Sequence, residues 1–384
     1  MPVPPNRAQE PPKKESRRNF LSSAIASSVV AVTAGCVRGL GPSVIQHERF
    51  DYNQKVVRSN NEQMLLNLVR LRYNDTPLFL ELGTIVAQYS LETRVGAGGN
   101  VQLTPKSIAA QADGFNLSAG ANWAERPTMT YTPLNGDEFA TRLLSPIPTD
   151  AIVLLSQSGW SIERLMRICV QRINEVGNAA SATGPTPEEP PRFQQMAELS
   201  RHLRQLQKAG LWAISHSNKR VPLFWLRNPS DEDSPLNEDI AAVRRLLELK
   251  PELSEWPITA YPFKRLSTEI GLRGRTMLGV MYFLSQSVEP PPEHAARHLV
   301  GVTKLPDGQP FDWTQVVGDL LRIKSSPHYP KEAFIAIQYR NHWFYIEDAD
   351  RDSKTTFNML ILLFMLQSAS SQGKSPILTL PIGN

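Results

Sequence analysis

Between residues 51 and 73 apolar side chains recur every three or four positions, at Val56, Met64, Leu68 and Leu71, with Leu65 and Val69 widening the stripe. That spacing keeps one side of a helix apolar, and the run Asn74, Asp75, Thr76, Pro77 stops it. From about 84 to 131 the period falls to two. Ile85, Ala87, Tyr89 and Leu91 alternate with Val86, Gln88, Ser90 and Glu92, and Phe115, Leu117, Ala119, Ala121 and Trp123 alternate with Asn116, Ser118, Gly120 and Asn122. These stretches predict strands, joined through a glycine-rich connection at Gly96, Gly98 and Gly99, with 128–132 as a third candidate.

Helical patterns return at 137–144, 150–157 and 162–176, with Thr149 and Ser161 placed as N-caps and Gly159 and Gly177 as stops. The segment 177–192 carries Pro185, Pro187, Pro190 and Pro191 and predicts a linker. Beyond it, helices are expected at 193–209, 237–249, 275–286 and 357–367, and strands at 212–215, 221–226, 257–263 and 377–382. A hairpin is expected over 333–346, turning at Arg340 and Asn341. The pattern gives an α+β fold class: antiparallel strands with packed helices and no transmembrane helix in the mature chain. The domain reading is 1–35 as export signal, 36–50 as a lipid-anchored tether, 51–176 and 193–384 as two α+β regions, and 177–192 as the link between them.

The N-terminus changes the picture of where the chain works. Arg7, Lys13, Lys14, Arg17 and Arg18 form a basic n-region ahead of a mildly apolar stretch diluted by Ser22, Ser23, Ser27 and Ser28. That stretch falls short of the roughly 20 residues that span a bilayer. Ser16, Arg17, Arg18, Asn19, Phe20 and Leu21 resemble the bacterial twin-arginine export signal, with Ser22 where Lys is usual. Thr33, Ala34, Gly35 and Cys36 resemble a lipoprotein cleavage box, with Thr33 in the place usually held by Leu. The resemblance implies that Cys36 becomes the acylated N-terminus and attaches the chain to the membrane. Plain cleavage after Ala34, releasing the chain, is the competing reading. Val37 stands where Asp would signal inner-membrane retention, so the periplasmic side of the outer membrane is the expected location.

Charge then loses its apparent meaning. Of 41 Lys and Arg and 37 Asp and Glu in the whole chain, five and two fall within the first 36 residues, so the remainder is close to neutral and gives no electrostatic case for nucleic acid. Cys169 is the single thiol after Cys36, and it lies among Ile162, Leu165, Met166, Ile168 and Ile173, which reads as a packed thiol rather than a nucleophile.

Candidate chemistry is sparse. His294 and His298 have the i, i+4 spacing of paired zinc ligands and Glu293 flanks them, but Ala295 stands where a metalloprotease carries its base. Asp348, Asp350 and Asp352 alternate like the start of a calcium loop, yet Ser353 replaces the turn glycine and Met359 the closing glutamate. The alternative is that Asp352 caps a helix beginning near Ser353 and that the other acids favour its N-terminal dipole. Ser158, Gly159 and Trp160 lack the strand-to-helix setting of an esterase nucleophile. Calcium is therefore the one cofactor considered, and no catalytic residue is assigned.

The expectation is an envelope lipoprotein acting without catalysis as a binding or scaffold component, held to the membrane through acylated Cys36 and meeting envelope proteins or polymers. A second reading is an oligomeric pore or translocation component, because the alternating strands have the length of tilted membrane strands. Two or three strands close no barrel without oligomerisation, and a half-buried sheet demands the same alternation. A third is a hydrolase of envelope polymers, which would gather charged residues around a pocket.

Overall fold

A computed structural model describes residues 42–99, 115–134, 137–260 and 267–368. The expected export signal with Arg17, Arg18, Phe20 and Leu21, the expected lipidation site Cys36, and the strand expected at 377–382 lie outside the described residues. The chain divides into two compact units, 1–59 and 60–384. In the first, the described residues are helical from Pro42, so helix α1 (Pro42–Arg72) begins well before the expected position 51 and takes in part of the segment read as tether. Everything below concerns the second unit.

Helix α1 ends as its sequence dictates. Asn74 adopts φ 58°, its N–H donates to the Leu71 carbonyl at 3.1 Å, and the Asp75 N–H donates to Arg70 at 2.9 Å. This is the left-handed closure that Asn tolerates better than most residues. The chain then enters strand β1 (Leu80–Gly99), which pairs antiparallel with β2 (Phe115–Pro133) in a two-stranded ribbon with one irregularity between Leu82 and Thr84. The two strand candidates at 115–124 and 128–132 are thus one continuous strand.

Three helices follow: α2 (Asp137–Leu144), α3 (Thr149–Gln157) and α4 (Ile162–Cys169). Pro148 rather than Thr149 takes the cap position of α3, and Ser161 occupies that of α4 without a side-chain bond. The helix expected over 162–176 stops at Cys169, and the remainder becomes strands β3 (Val170–Ile173) and β4 (Val176–Gly177) around Asn174 at φ 46°. Helical spacing and β-branched residues compete in this segment. The sheet wins because β3 finds a partner in β8, about a hundred residues later.

The stretch 177–192 is not a linker. It holds a short 3₁₀ turn (Ala180–Thr183) and buries Ala179 and Ala182 completely. The Pro187 carbonyl accepts from the Thr303 hydroxyl, and the Glu188 carbonyl from the Lys304 N–H. Its prolines rule out ladder pairing but not packing.

Next come α5 (Gln194–Lys208), β5 (Trp212–His216), β6 (Pro222–Leu226), α6 (Leu236–Leu247), β7 (Glu255–Ala260) and β8 (Ile270–Gly274). The six strands run in the order β4-β3-β8-β7-β6-β5, antiparallel throughout except for the β7–β8 pair. At the end of β8 stands Gly274, where a Cβ would lie 2.5 Å from the Ile147 carbonyl oxygen, so no side chain fits there. Beyond it lie α7 (Met277–Ser285), α8 (Pro292–Ala296), α9 (Thr314–Val317) and β9 (Lys324–Ser326), then the hairpin of β10 (Ala333–Tyr339) and β11 (His342–Glu347), and last α10 (Arg351–Ser368). The hairpin turns as expected at Arg340 and Asn341, both at positive φ, the two-residue geometry that matches strand twist.

One continuous core runs under the six-stranded sheet and the three-stranded sheet of order β10-β11-β9, with Leu65, Leu68, Leu165, Phe224, Trp256, Phe283, Phe344 and Phe357 all at or near full burial. Among the described residues no helix is long and apolar enough to cross a membrane.

Candidate functional site

The β1–β2 ribbon is the element with the clearest directed chemistry. Its register sets Ile85 opposite Met129, Leu91 opposite Trp123, Val95 opposite Ala119 and Ala97 opposite Leu117. The intervening pairs are Gln88 with Arg126, Glu92 with Asn122, Arg94 with Gly120 and Gly96 with Ser118. The register thus runs unbroken from Thr84 opposite Thr130 to Gly99 opposite Phe115. Among the described residues neither strand pairs with a third.

The ribbon is rooted in the body by a pair of side-chain amides four residues apart on α1. Asn67 accepts the Leu78 N–H at 2.9 Å and donates to its carbonyl at 2.8 Å. One turn earlier, Gln63 accepts the Leu80 N–H at 3.1 Å and donates to its carbonyl at 3.3 Å. Two amides facing alternate residues supply the bonds that a neighbouring strand would. Between them Phe79 is buried, stacked on Phe364 of α10 at 4.9 Å and edge-on to Phe139 of α2 at 5.6 Å, while its carbonyl accepts from Leu134 at the far end of β2. Sequence reasoning missed this clamp. The available signal was Asn67, an amide at a buried position in a leucine-rich turn.

Beside the root, α1 ends in a second polar cluster. Arg72 is buried and donates to the Gly301 carbonyl at 2.9 Å and to Thr186 Oγ1 at 3.1 Å, and burial brings its pKa down to about 10. The Tyr73 hydroxyl is hydrogen-bonded to His294 Nδ1 at 2.7 Å, and burial pushes the phenol up to about 12. His294 faces His342 with ring centroids 5.0 Å apart, and His342 Nε2 lies 2.9 Å from the Glu293 carboxylate. Burial first, and then the neighbouring His342, hold the His294 pKa below its ordinary value. Asp75 takes hydrogen bonds from Tyr339 and Arg340. Burial alone would raise its pKa, but those two donors outweigh it and the carboxyl is held below the usual range.

This arrangement separates the proposed histidine pair. Helix α8 ends at Ala296, so His298 lies outside it in a left-handed conformation and exposed, whereas His294 is buried against Tyr73. Among the described residues no group of three or more His, Cys, Asp or Glu is arranged to hold a metal ion.

The acidic triplet is likewise divided among three partners. Asp348 pairs with Lys354 at 2.6 Å and Asp352 with Arg164 at 2.7 Å. Asp350 accepts the Ser353 N–H at 3.0 Å and the Ser353 hydroxyl at 2.7 Å. The residue capping α10 is therefore Asp350 rather than Asp352. Calcium binding at this triplet would have to displace all three contacts.

Cys169 is fully buried, and burial pushes its thiol up to about 12, which suits a packed residue. Its neighbour Arg275 is also fully buried. The guanidinium donates to the carbonyls of Arg167 at 2.7 Å, Ile168 at 3.0 Å and Asn178, and lies 4.0 Å above the Phe283 ring. With no carboxylate beside it, burial lowers its pKa to about 9. Ser158 donates to the Leu154 carbonyl in the turn between α3 and α4, where Gly159 takes φ 89°.

Surface concavities lie elsewhere on the body. A polar cleft of about 760 Å³ at the proline-rich segment is lined by Arg172, Glu175, Glu188, Glu189 and Arg192, with Arg172 and Glu175 paired at 2.7 Å. An apolar groove of about 460 Å³ lies between α3 and the end of α10, lined by Ile147, Ala151, Leu154, Leu363 and Leu366. Within its lining Leu154 and Leu366 are about half exposed, at 54 and 46%. The chain matches no family model, and no curated protein or solved structure is significantly similar to it.

Proposed function

We propose that the protein is a bacterial envelope lipoprotein that works without catalysis, as a binding or scaffold component at the membrane surface. Supporting this reading, the polar side chains that resembled catalytic or metal-binding sets are engaged in capping and pairing. Among the described residues the longest strands instead form the two-stranded ribbon β1–β2, which pairs with no third strand there, and this is the observation that carries the proposal. A ribbon offers backbone edges for pairing, which suit binding rather than turnover.

The test is membrane partitioning and intact mass of the wild type beside Cys36→Ala, in a host with twin-arginine export. The proposal expects an acylated, membrane-bound wild type that loses its acyl mass on substitution. A wild type that begins at Gly35 and fractionates as a soluble protein overturns it. A second reading, a translocation component, is favoured by the ribbon's register. The envelope-polymer hydrolase reading rests on the charged cleft at Glu175, Glu188 and Glu189.

A further inference from the structure

We infer that a cavity beside the end of α1 binds a small carboxylic acid that also carries an N–H or O–H donor, with Arg72 holding the carboxylate and Gln286 accepting from the donor. The inference goes beyond the membrane-surface reading and does not depend on the lipid anchor.

The Arg72 guanidinium is buried, at 6% exposure, and among the described residues it makes no ion pair. Tyr73, whose phenol burial pushes up to about 12, is the one titratable neighbour there that offsets the burial of Arg72. The two hydrogen bonds of the guanidinium, to the Gly301 carbonyl and Thr186 Oγ1, both leave from Nη1. Nε is buried and meets no partner among the described residues. The Nε and Nη2 edge of a guanidinium is a planar fork that matches the two oxygens of a carboxylate. A cation taken out of water without a counter-charge is costly, and an anion at that fork offsets the cost. Arg275, also buried without a carboxylate, differs in using its fork on three carbonyls while it lies over the Phe283 ring.

Gln286 supplies the complementary group. It is 4% exposed, and its Oε1 also meets no partner among the described residues. Its Nε2 donates to Thr186 Oγ1 at 3.3 Å, the same oxygen that accepts from Arg72 Nη1 at 3.1 Å. One hydroxyl therefore holds the two side chains together and brings an unmatched donor close to an unmatched acceptor. Buried polar groups are nearly always satisfied, and a ligand with an acceptor at one end and a donor a few bonds away satisfies both of these.

Arg72 and Gln286 both line a cavity of about 190 Å³. Buried Val288, Trp313, Val317 and Leu321 also line it, and Trp313 is held in place by its Nε1 donating to Thr303 Oγ1 at 3.2 Å. Apolar walls around a few convergent polar groups are the usual form of a small-molecule site, and a volume below the roughly 300 Å³ of drug-sized pockets restricts the ligand to a few heavy atoms. Exposed Glu289, Asp312 and Arg322 complete the charged lining. With Arg72 they make two positive and two negative groups, a balance that suits a monoanionic carboxylate and disfavours a phosphate dianion. The matching chemistry occurs in a free N-acylated or hydroxylated acid and at the carboxyl end of a peptide, whose last residue carries both a carboxylate and an amide N–H.

The experiment titrates the full chain, purified in mild detergent, with N-acetylalanine, N-acetylalaninamide, propionate and sodium phosphate at low salt, followed by calorimetry. N-acetylalanine is expected to bind at one site, with the amide and phosphate at least about tenfold weaker, a difference of about 1.4 kcal/mol. Propionate, which lacks the N–H, should bind more weakly than N-acetylalanine to the wild type and equally to Gln286→Leu. Arg72→Met should abolish binding of both acids. Because that variant also loses the bond to Gly301, Glu289→Gln provides a change at an exposed position: removing a like charge should tighten N-acetylalanine about two- to fivefold, an effect that fades in high salt. The peptide Gly-Gly-Gly-Ala binding as well as N-acetylalanine supports the site and assigns it to a peptide end, whereas binding of the short acid alone supports it and assigns a free acid. No saturable binding of either acid by about 10 mM, well above the roughly millimolar range of weak specific ligands, overturns the inference. Equal binding of N-acetylalanine and its amide also overturns it, as does a Glu289→Gln protein with unchanged affinity.

Discussion

The Asn67 side chain is bonded to both backbone polar groups of Leu78, accepting its N–H at 2.9 Å and donating to its carbonyl at 2.8 Å. Asn67 is fully buried while Leu78 is about half exposed, so these bonds tie the first turn of chain after α1 to the helix from the inner side. The ribbon's direction out of the body is thereby set by a helix side chain rather than by a third strand.

Asn67→Ala is expected to remove two part-buried hydrogen bonds to Leu78 and to destabilise the body by about 1–3 kcal/mol, at about 0.5–1.5 kcal/mol per bond. Gln63→Ala, at a partly exposed position one turn away, should lose less. Urea unfolding of both variants checks the order. Equal midpoints would mean that the amide clamp does not hold the root.

The histidine cluster gives stability a pH slope of defined sign. The His294 pKa lies below its ordinary value of 6.5, so in acid the unfolded chain binds its proton more readily than the folded one. The stability this group contributes is complete above about 6.5 and is lost as pH falls through the lowered folded pKa. Tyr73, His342, Glu293, Arg297 and Arg340 all face or influence the ring, and only Glu293 opposes the effect of burial and the neighbouring cations. In His294→Gln the urea midpoint should fall less between about pH 7 and pH 5 than in the wild type. A slope identical in both proteins would assign the acid sensitivity elsewhere.

Arg275→Met should be among the most damaging single changes in the body. It strands the carbonyls of Arg167, Ile168 and Asn178, which the guanidinium satisfies from a fully buried position. With hydrogen bonds to a charged group at about 1.5–3 kcal/mol each, and some recovery because the buried cation goes too, a loss of about 3 kcal/mol or more is expected. Arg275→Lys cannot reach three carbonyls at once and should recover only part of it. Thermal melts of the two variants would decide whether fork geometry or charge matters.

Asp350→Ala removes the cap of α10 and should cost about 1–2 kcal/mol. Because Asp348, Asp350 and Asp352 are committed to Lys354, Ser353 and Arg164, the loss should be the same with calcium or with chelator. A wild-type melting temperature that rises with calcium, and an Asp350→Ala protein that no longer responds, would restore the calcium reading.

The strongly periodic segments were legible from the chain alone: α1 with its Asn74 stop, the alternation that became β1 and β2, the helices near 194–208 and 351–368, and the Arg340–Asn341 hairpin. In each, local spacing decides which face is buried, and a turn residue with unusual backbone freedom fixes the end. The α+β class follows from those elements. The resemblance of residues 16–21 to an export signal and of 33–36 to a lipoprotein cleavage box rests on a motif rather than on packing. Tertiary structure decided the segments whose local signals were ambiguous or misleading. Val170 to Gly177 turned from helix to strand because β8 offered a partner, and residues 177–192 became packed structure because their carbonyls found Thr303 and Lys304. It also decided that Asn67 meets Leu78, that His294 meets Tyr73 rather than His298, and that the acidic triplet is split among three partners. Periodicity records that a position is buried, but not against what. The partners of these polar groups are set by contacts between distant parts of the chain, and those contacts exist only once the core has closed.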